Sequence, residues 1–157
     1  VRSSPAFSAF TAVLGDSPGP ALPQGQLHYR RLLLLMDPDA DGIHTAALVQ
    51  LFLLRCMPSL IEQGFVWIIH APWGEIRRPG HMPLVSFDAM EYRHQCRAME
   101  GEPGVLRIRH RGLGTITPEV LARCCIDPAT RRARVLAPAD VREAARVFVG
   151  DPEGAAP

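Results

Sequence analysis

The sequence predicts an α/β fold, a parallel sheet flanked by helices, on three observations. Leu32 to Met36 is an apolar run bounded by turn residues, which reads as a strand buried on both faces. Ile43 to Met57 is apolar over helical length. After a segment that opens on Pro58 and closes on Gly64, Phe65 to Ala71 reads as a second strand. Strand, helix and strand make a βαβ unit, hence parallel neighbours and a right-handed crossover.

The elements follow in order. Val1 to Pro5 is a frayed end, Ala6 to Leu14 a short helix, and Asp16 to Gln26 a Gly- and Pro-rich loop. The helix from Ile43 is apolar almost all round, so it is expected to be buried. His44 and Arg55 on it are eleven residues apart, which returns to nearly the same face. Pro72 to Pro83 is rich in Pro, Gly and Arg. Ser86 to Met99 is a helix with Ser86 as its cap and acidic residues in the first turn. Pro103-Gly104 turns the chain into an imperfect strand, Val105 to Arg109. Thr117 caps a helix with Pro118 at its first position, running to about Cys125 and broken by Asp127-Pro128. Arg131 to Val135 is a strand, Ala139 to Val149 a last helix, and residues 152–157 a disordered tail. The layout is 1–26 for helix and loop, 27–151 for the domain, and 152–157 for the tail.

The 157 residues suffice for one domain with a real core. With 47% hydrophobic and 21% charged residues, most of the chain is expected to fold. Net charge is +1, so any nucleic-acid role rests on local patches. No apolar run approaches the ~20 residues of a membrane span, and no secretory signal is visible at the N-terminus. Cys56, Cys96, Cys124 and Cys125 make no C-x-x-C pair, which argues against zinc and for reduced thiols in a cytoplasmic protein.

The chemistry concentrates where the first strand meets the first long helix. Asp37, Asp39 and Asp41 alternate there and Gly42 follows, at the place where open α/β sheets hold ligands. Their oxygens are hard ligands suited to Mg²⁺ or Ca²⁺. The same residues also serve as a turn and cap cluster without metal, with Asp41 able to cap the helix. An EF-hand loop fits six positions but places Leu48 where the bidentate Glu belongs, and it is entered from a helix rather than a strand. That reading is rejected. A second cluster, Arg107, Arg109, His110 and Arg111, leads into Gly112-Leu113-Gly114, where glycine allows close backbone approach to a phosphate. It reads either as a DNA-backbone contact or as a solvated strand edge ending in a turn.

The ordered set resembles a known family. Asp37, Asp39, Asp41, Gly42 and His44 match the D-x-D-x-D-G-x-H core of the Toprim domain of type IIA DNA topoisomerases. The likeness is closest to the B subunits of gyrase and topoisomerase IV, which it does not tell apart. Arg55, then Met57-Pro58-Ser59-Leu60-Ile61-Glu62-Gln63-Gly64 and Phe65-Val66-Trp67, match the segments that follow. Arg111-Gly112-Leu113-Gly114 resembles the family's Lys-Gly-Leu-Gly, and Asp127-Pro128 with Arg131-Arg132 its Met-Asp-Pro-x-x-Arg. The matches are collinear over Phe7 to Asp151.

The resemblance implies a Toprim-like, Rossmann-like fold truncated at its N-terminal side, with a β-hairpin over Pro72 to Pro83. It implies that Asp37, Asp39 and Asp41 bind Mg²⁺, with Asp37 innermost. It places Arg107, Arg109, His110, Arg111, Gly112 and Gly114 on DNA, and gives His44 and Arg111 supporting roles. Partners would be DNA, the topoisomerase A subunit that carries the nucleophilic tyrosine, and a remaining B-subunit fragment. The reaction would be reversible strand cleavage and religation. Departures are specific. Leu14 stands where one register would put the catalytic Glu, and a better register starts the chain after that strand. Ala46 and Thr115 replace an Arg and an acidic residue, and Gly150-Asp151 lacks an Arg-rich continuation. There is no Walker-type loop, and Tyr29 and Tyr92 match no nucleophile. The expectation is therefore a topoisomerase component inactive alone, the alternative being a degenerate module that binds DNA or docks on the A subunit.

Overall fold

Pro5 opens the first helix, α1 (Pro5–Leu14), at a position where its missing N–H costs nothing. The computed structural model describes residues 5–15 and 27–149. The frayed first residues, the 16–26 loop, Gly150-Asp151 and the 152–157 tail expected from sequence lie outside those residues. The chain divides into two compact units. One comprises Val1–Leu34, Ala46–Ile68 and Arg134–Pro157, and the other Leu35–Thr45 and Ile69–Ala133.

The first unit is built on the sheet β1-β2-β6, from β1 (Leu32–Leu35), β2 (Val66–Ile69) and β6 (Ala133–Val135). The βαβ expectation holds. Between β1 and β2 the chain runs through α2 (Ala40–Cys56) and α3 (Pro58–Glu62). The Leu32 amide donates to Phe65 O, just ahead of β2, so the two strands start side by side and run the same way. β6 departs from the all-parallel expectation. Bonds from Leu136 to Val66 and from His70 to Arg132 cross in the order that only opposed strands allow. Gly64 ends the α3 segment at φ +72°, a left-handed turn that glycine makes without strain. Leu34, Phe52, Leu53, Met57, Ile61, Val66, Leu136 and Val141 form the core, the last from α6 (Pro138–Val149).

Two burial expectations are corrected. β1 is not buried on both faces: Leu33 is 37% exposed. Nor is α2 buried all round, because Ile43 and Leu48 are 61% and 51% exposed. An apolar run shows that a segment can be buried, not that both of its sides are covered.

The second unit carries an antiparallel sheet, β4-β3-β5, from β3 (Gly74–Arg77), β4 (Leu84–Ser86) and β5 (Leu106–Arg109). A hairpin is present but runs past the expected Pro72 to Pro83, its second strand being Leu84–Ser86, with Glu75 opposite Val85 and Ile108. At Gly74 a β-carbon would lie 2.8 Å from the backbone oxygen of Ile108 and from the Tyr92 ring, so the strand admits only glycine there. α4 (Ala89–Ala98) is capped by Asp88, whose carboxylate accepts the Met90 and Glu91 amides at 2.8 Å. Ser86 is not the cap: it ends β4, buried, and donates to Gln95 Oε1 at 2.6 Å. α5 (Pro118–Leu121) follows Thr117 and continues as a π-helical turn over Ala122–Ile126. Ile69, Ile116, Val120, Cys124 and Cys125 form this unit's core. The four cysteines are free thiols, as expected. Burial pushes the Cys125 thiol up to about 11, so it is inert as a nucleophile at neutral pH.

Candidate functional site

Asp37 follows β1, and its backbone is clamped by the start of α2. A β-carbon on Gly42 would sit 2.1 Å from the Asp37 carbonyl oxygen and 2.9 Å from its nitrogen. Only glycine lets the helix begin so close to the strand end. This explains why the alternating carboxylates end on that residue. Asp39 caps α2: its Oδ1 accepts the Gly42 amide at 2.8 Å and its carbonyl accepts the Ile43 amide at 3.1 Å. The cap is therefore Asp39 and not Asp41. Asp41 sits exposed in the first turn, where the helix dipole favours its charge. His44 is exposed one turn further on.

The second motif arrives from far along the chain. The Leu113 amide donates to Asp37 Oδ1 at 2.6 Å, and a β-carbon on Gly112 would meet that carboxylate at 3.4 Å. A β-carbon at position 112 would thus rest in ordinary contact with Asp37. The two clusters singled out in the sequence, Asp37-to-Gly42 and Arg111-to-Gly114, thus form one site within one unit. Their meeting point is a carboxylate held by a backbone N–H.

The basic residues separate on inspection. Arg107, Arg109 and Arg111 are exposed. Arg107 also donates to Met99 O at 2.9 Å, and Arg109 lies over the Trp73 ring at 4.3 Å. Gly112 and Gly114 follow on the same turn. His110 leaves this patch: it is 0% exposed, and burial lowers its affinity for a proton against the opposing pull of Glu75. Arg132 stacks on Phe87 and Arg134 pairs with Asp140, so these arginines serve the fold. Sequence reasoning missed Trp73, Glu75 and Thr115 as neighbours of the site. Trp73 and Glu75 sit in a stretch whose Pro and Gly content masks its strand.

The three carboxylates have the donor chemistry of a Mg²⁺ site, but two of them are turned toward backbone amides. Among the described residues no three His, Cys, Asp or Glu side chains converge as a metal cage. Nor is any described helix long and apolar enough to cross a membrane.

Comparison with known proteins agrees with the family resemblance. No family model matches the chain. It is 29% identical over 140 residues to the DNA gyrase B subunit of Borreliella burgdorferi, covering 88% of this chain and 22% of that one. To the gyrase B subunit of Haloferax volcanii it is 30% identical over 153 residues, 93% of this chain and 23% of that one. To that of Thermotoga maritima it is 29% identical over 142 residues, 90% and 22%. The chain thus spans between a fifth and a quarter of the length of these relatives. In three dimensions it is similar to the Plasmodium falciparum topoisomerase II DNA-binding, cleavage and re-ligation domain. The TM-score is 0.60 at 24% identity, over 73% of this chain and 16% of that one, a likeness of fold.

Proposed function

From a chain similar over about nine-tenths of its length to part of the DNA gyrase B subunit, we propose that it is the Toprim portion of a type IIA topoisomerase B subunit, working on DNA. Residues 27–151 make up that portion, and the chain acts in the cytoplasm. It assists reversible strand cleavage and religation by the A-subunit tyrosine. What supports this reading is one hydrogen bond, from the Leu113 amide to Asp37, which draws two distant motifs into a single site.

In this reading Arg107, Arg109 and Arg111 bind the DNA backbone without reading sequence. The Gly112–Gly114 turn lets a phosphate approach the main chain. Asp37, Asp39 and Asp41 give this end of β1 its negative charge. They do not form a closed metal cage by themselves. A Mg²⁺ held by Asp37, Asp39 or Asp41 would need further ligands from outside the described residues, a remaining B-subunit fragment being the proposed source.

The turning of Asp37 and Asp39 toward backbone amides favours a second reading, a module that binds DNA or docks on the A subunit without catalysis. A cleavage assay with the A subunit of gyrase or topoisomerase IV, DNA and Mg²⁺ separates them. Cleavage complexes that require both this chain and Mg²⁺ support the first. DNA binding without cleavage, or metal-independent docking on the A subunit, supports the second. Neither cleavage nor binding overturns both.

A further inference from the structure

Glu75 on β3 and His110 just after β5 are each 0% exposed. They carry the two buried side-chain polar atoms, Glu75 Oε2 and His110 Nε2, that lack a hydrogen-bond partner among the described residues. Arg77 holds the other Glu75 oxygen, its Nε donating at 2.8 Å. Charges on both Glu75 and Arg77 act on the His110 ring. A buried carboxylate and imidazole are costly to keep unless they do something that an apolar pair would not.

The other ring nitrogen shows what that is. His110 Nδ1 lies 3.5 Å from Thr115 Oγ1, at the long end of a hydrogen bond. The Thr115 hydroxyl donates its one hydrogen to Gly112 O at 2.7 Å. Toward the ring it can only accept, so the hydrogen between them belongs to Nδ1. Gly112 O and the Leu113 N–H are the two ends of one planar peptide group. Thr115 grips the oxygen end with its hydroxyl and, at 3.0 Å, with its own amide, and the N–H end points at Asp37 Oδ1 at 2.6 Å.

We propose that His110 is a positioning residue: kept with a hydrogen on Nδ1 beside Glu75, it acts through Thr115 to set the Gly112–Leu113 peptide and so the hydrogen bond on Asp37. The groups that bear on it are Glu75 and Arg77 from β3 and Thr115 from the turn. That this peptide serves DNA chemistry rests on the functional reading above; the relay itself does not.

The test is nuclear magnetic resonance on the ¹⁵N-labelled 157-residue chain. At neutral pH the His110 ring is expected to carry hydrogen on Nδ1, and the Leu113 amide to exchange slowly. Thr115→Val should speed that exchange by about fivefold, the loss of one hydrogen bond of about 1 kcal/mol, and Thr115→Ser should restore it. His110→Asn, whose amide donates from the Nδ1 position, should keep exchange slow, and His110→Gln, whose amide donates from the Nε2 position, should not. A ring found as the Nε2–H tautomer overturns the proposal. So does Leu113 exchange that ignores Thr115→Val, or that is alike in the two His110 variants. If these results hold while cleavage with the A subunit fails, the functional reading falls and the relay stands.

Discussion

A methyl group on Gly42 would lie 2.1 Å from the backbone oxygen of Asp37. The neighbour is main chain, which cannot swing aside as a flexible side chain would. Gly42→Ala is therefore expected to force the helix start away from the strand end, costing about 1–3 kcal/mol as overpacking does. Urea unfolding followed by circular dichroism measures this. An unchanged midpoint would mean that the helix start is free to shift.

Asp39 has two duties that one substitution confounds. Because it caps α2, Asp39→Ala should lower stability by about 1 kcal/mol before any effect on Mg²⁺ is considered. Asp39→Asn keeps the capping oxygen and should unfold near the wild-type midpoint. Mg²⁺ titration calorimetry on Asp39→Asn with Asp41→Asn then reports on metal alone. Equal stability of the alanine and asparagine variants would remove Asp39 from the cap.

In the proposed function Arg111 is the plainest candidate for a phosphate contact, exposed beside the Gly112–Gly114 turn. Arg111→Ala should weaken binding to duplexes of unrelated sequence alike, and reduce the slope of log affinity against log salt by about 1. Fluorescence anisotropy at several salt concentrations reads both. Arg109→Ala should also cost stability, about 0.5–1 kcal/mol, through loss of its stack on Trp73. A sequence-dependent loss at Arg111 would contradict a backbone contact.

The buried His110 sets a pH dependence with a definite sign. Its folded proton affinity is lowered by burial, so the unfolded chain takes up the proton first as pH falls through about 6.5. Stability from this group is full above that pH. It declines below it until folded His110 protonates in turn. Urea midpoints from pH 8 downward should show that decline in the wild type, and a shallower one in His110→Asn. Identical profiles would mean that His110 titrates alike folded and unfolded.

Much of this was legible because the signals were local. The run from Leu32 into Asp37, the Pro58-to-Gly64 bracket and the Thr117-Pro118 start each carry their own stop and start chemistry, and the elements fall close to where those residues put them. Caps were harder. Ser86 and Asp88 both suit an N-cap, and only pairing of β4 with β3 decides that Ser86 belongs to a strand. Burial was harder still. Leu33, Ile43 and Leu48 look no different in sequence from their buried neighbours, because cover comes from residues distant in the chain. The basic cluster showed the same limit. His110 stands among arginines in sequence, yet strand alternation turns it inward while Arg109 and Arg111 stay outside.

The bond from Leu113 to Asp37 also bears on how the chain folds. It spans 76 positions, and closing so long a loop costs about 4 kcal/mol of chain entropy. One hydrogen bond returns about 1 kcal/mol, so it cannot drive its own closure. Other contacts have to bring the two segments together first. The site is then a late event on the folding pathway. Variants that loosen this bond should speed unfolding and leave the folding rate nearly unchanged.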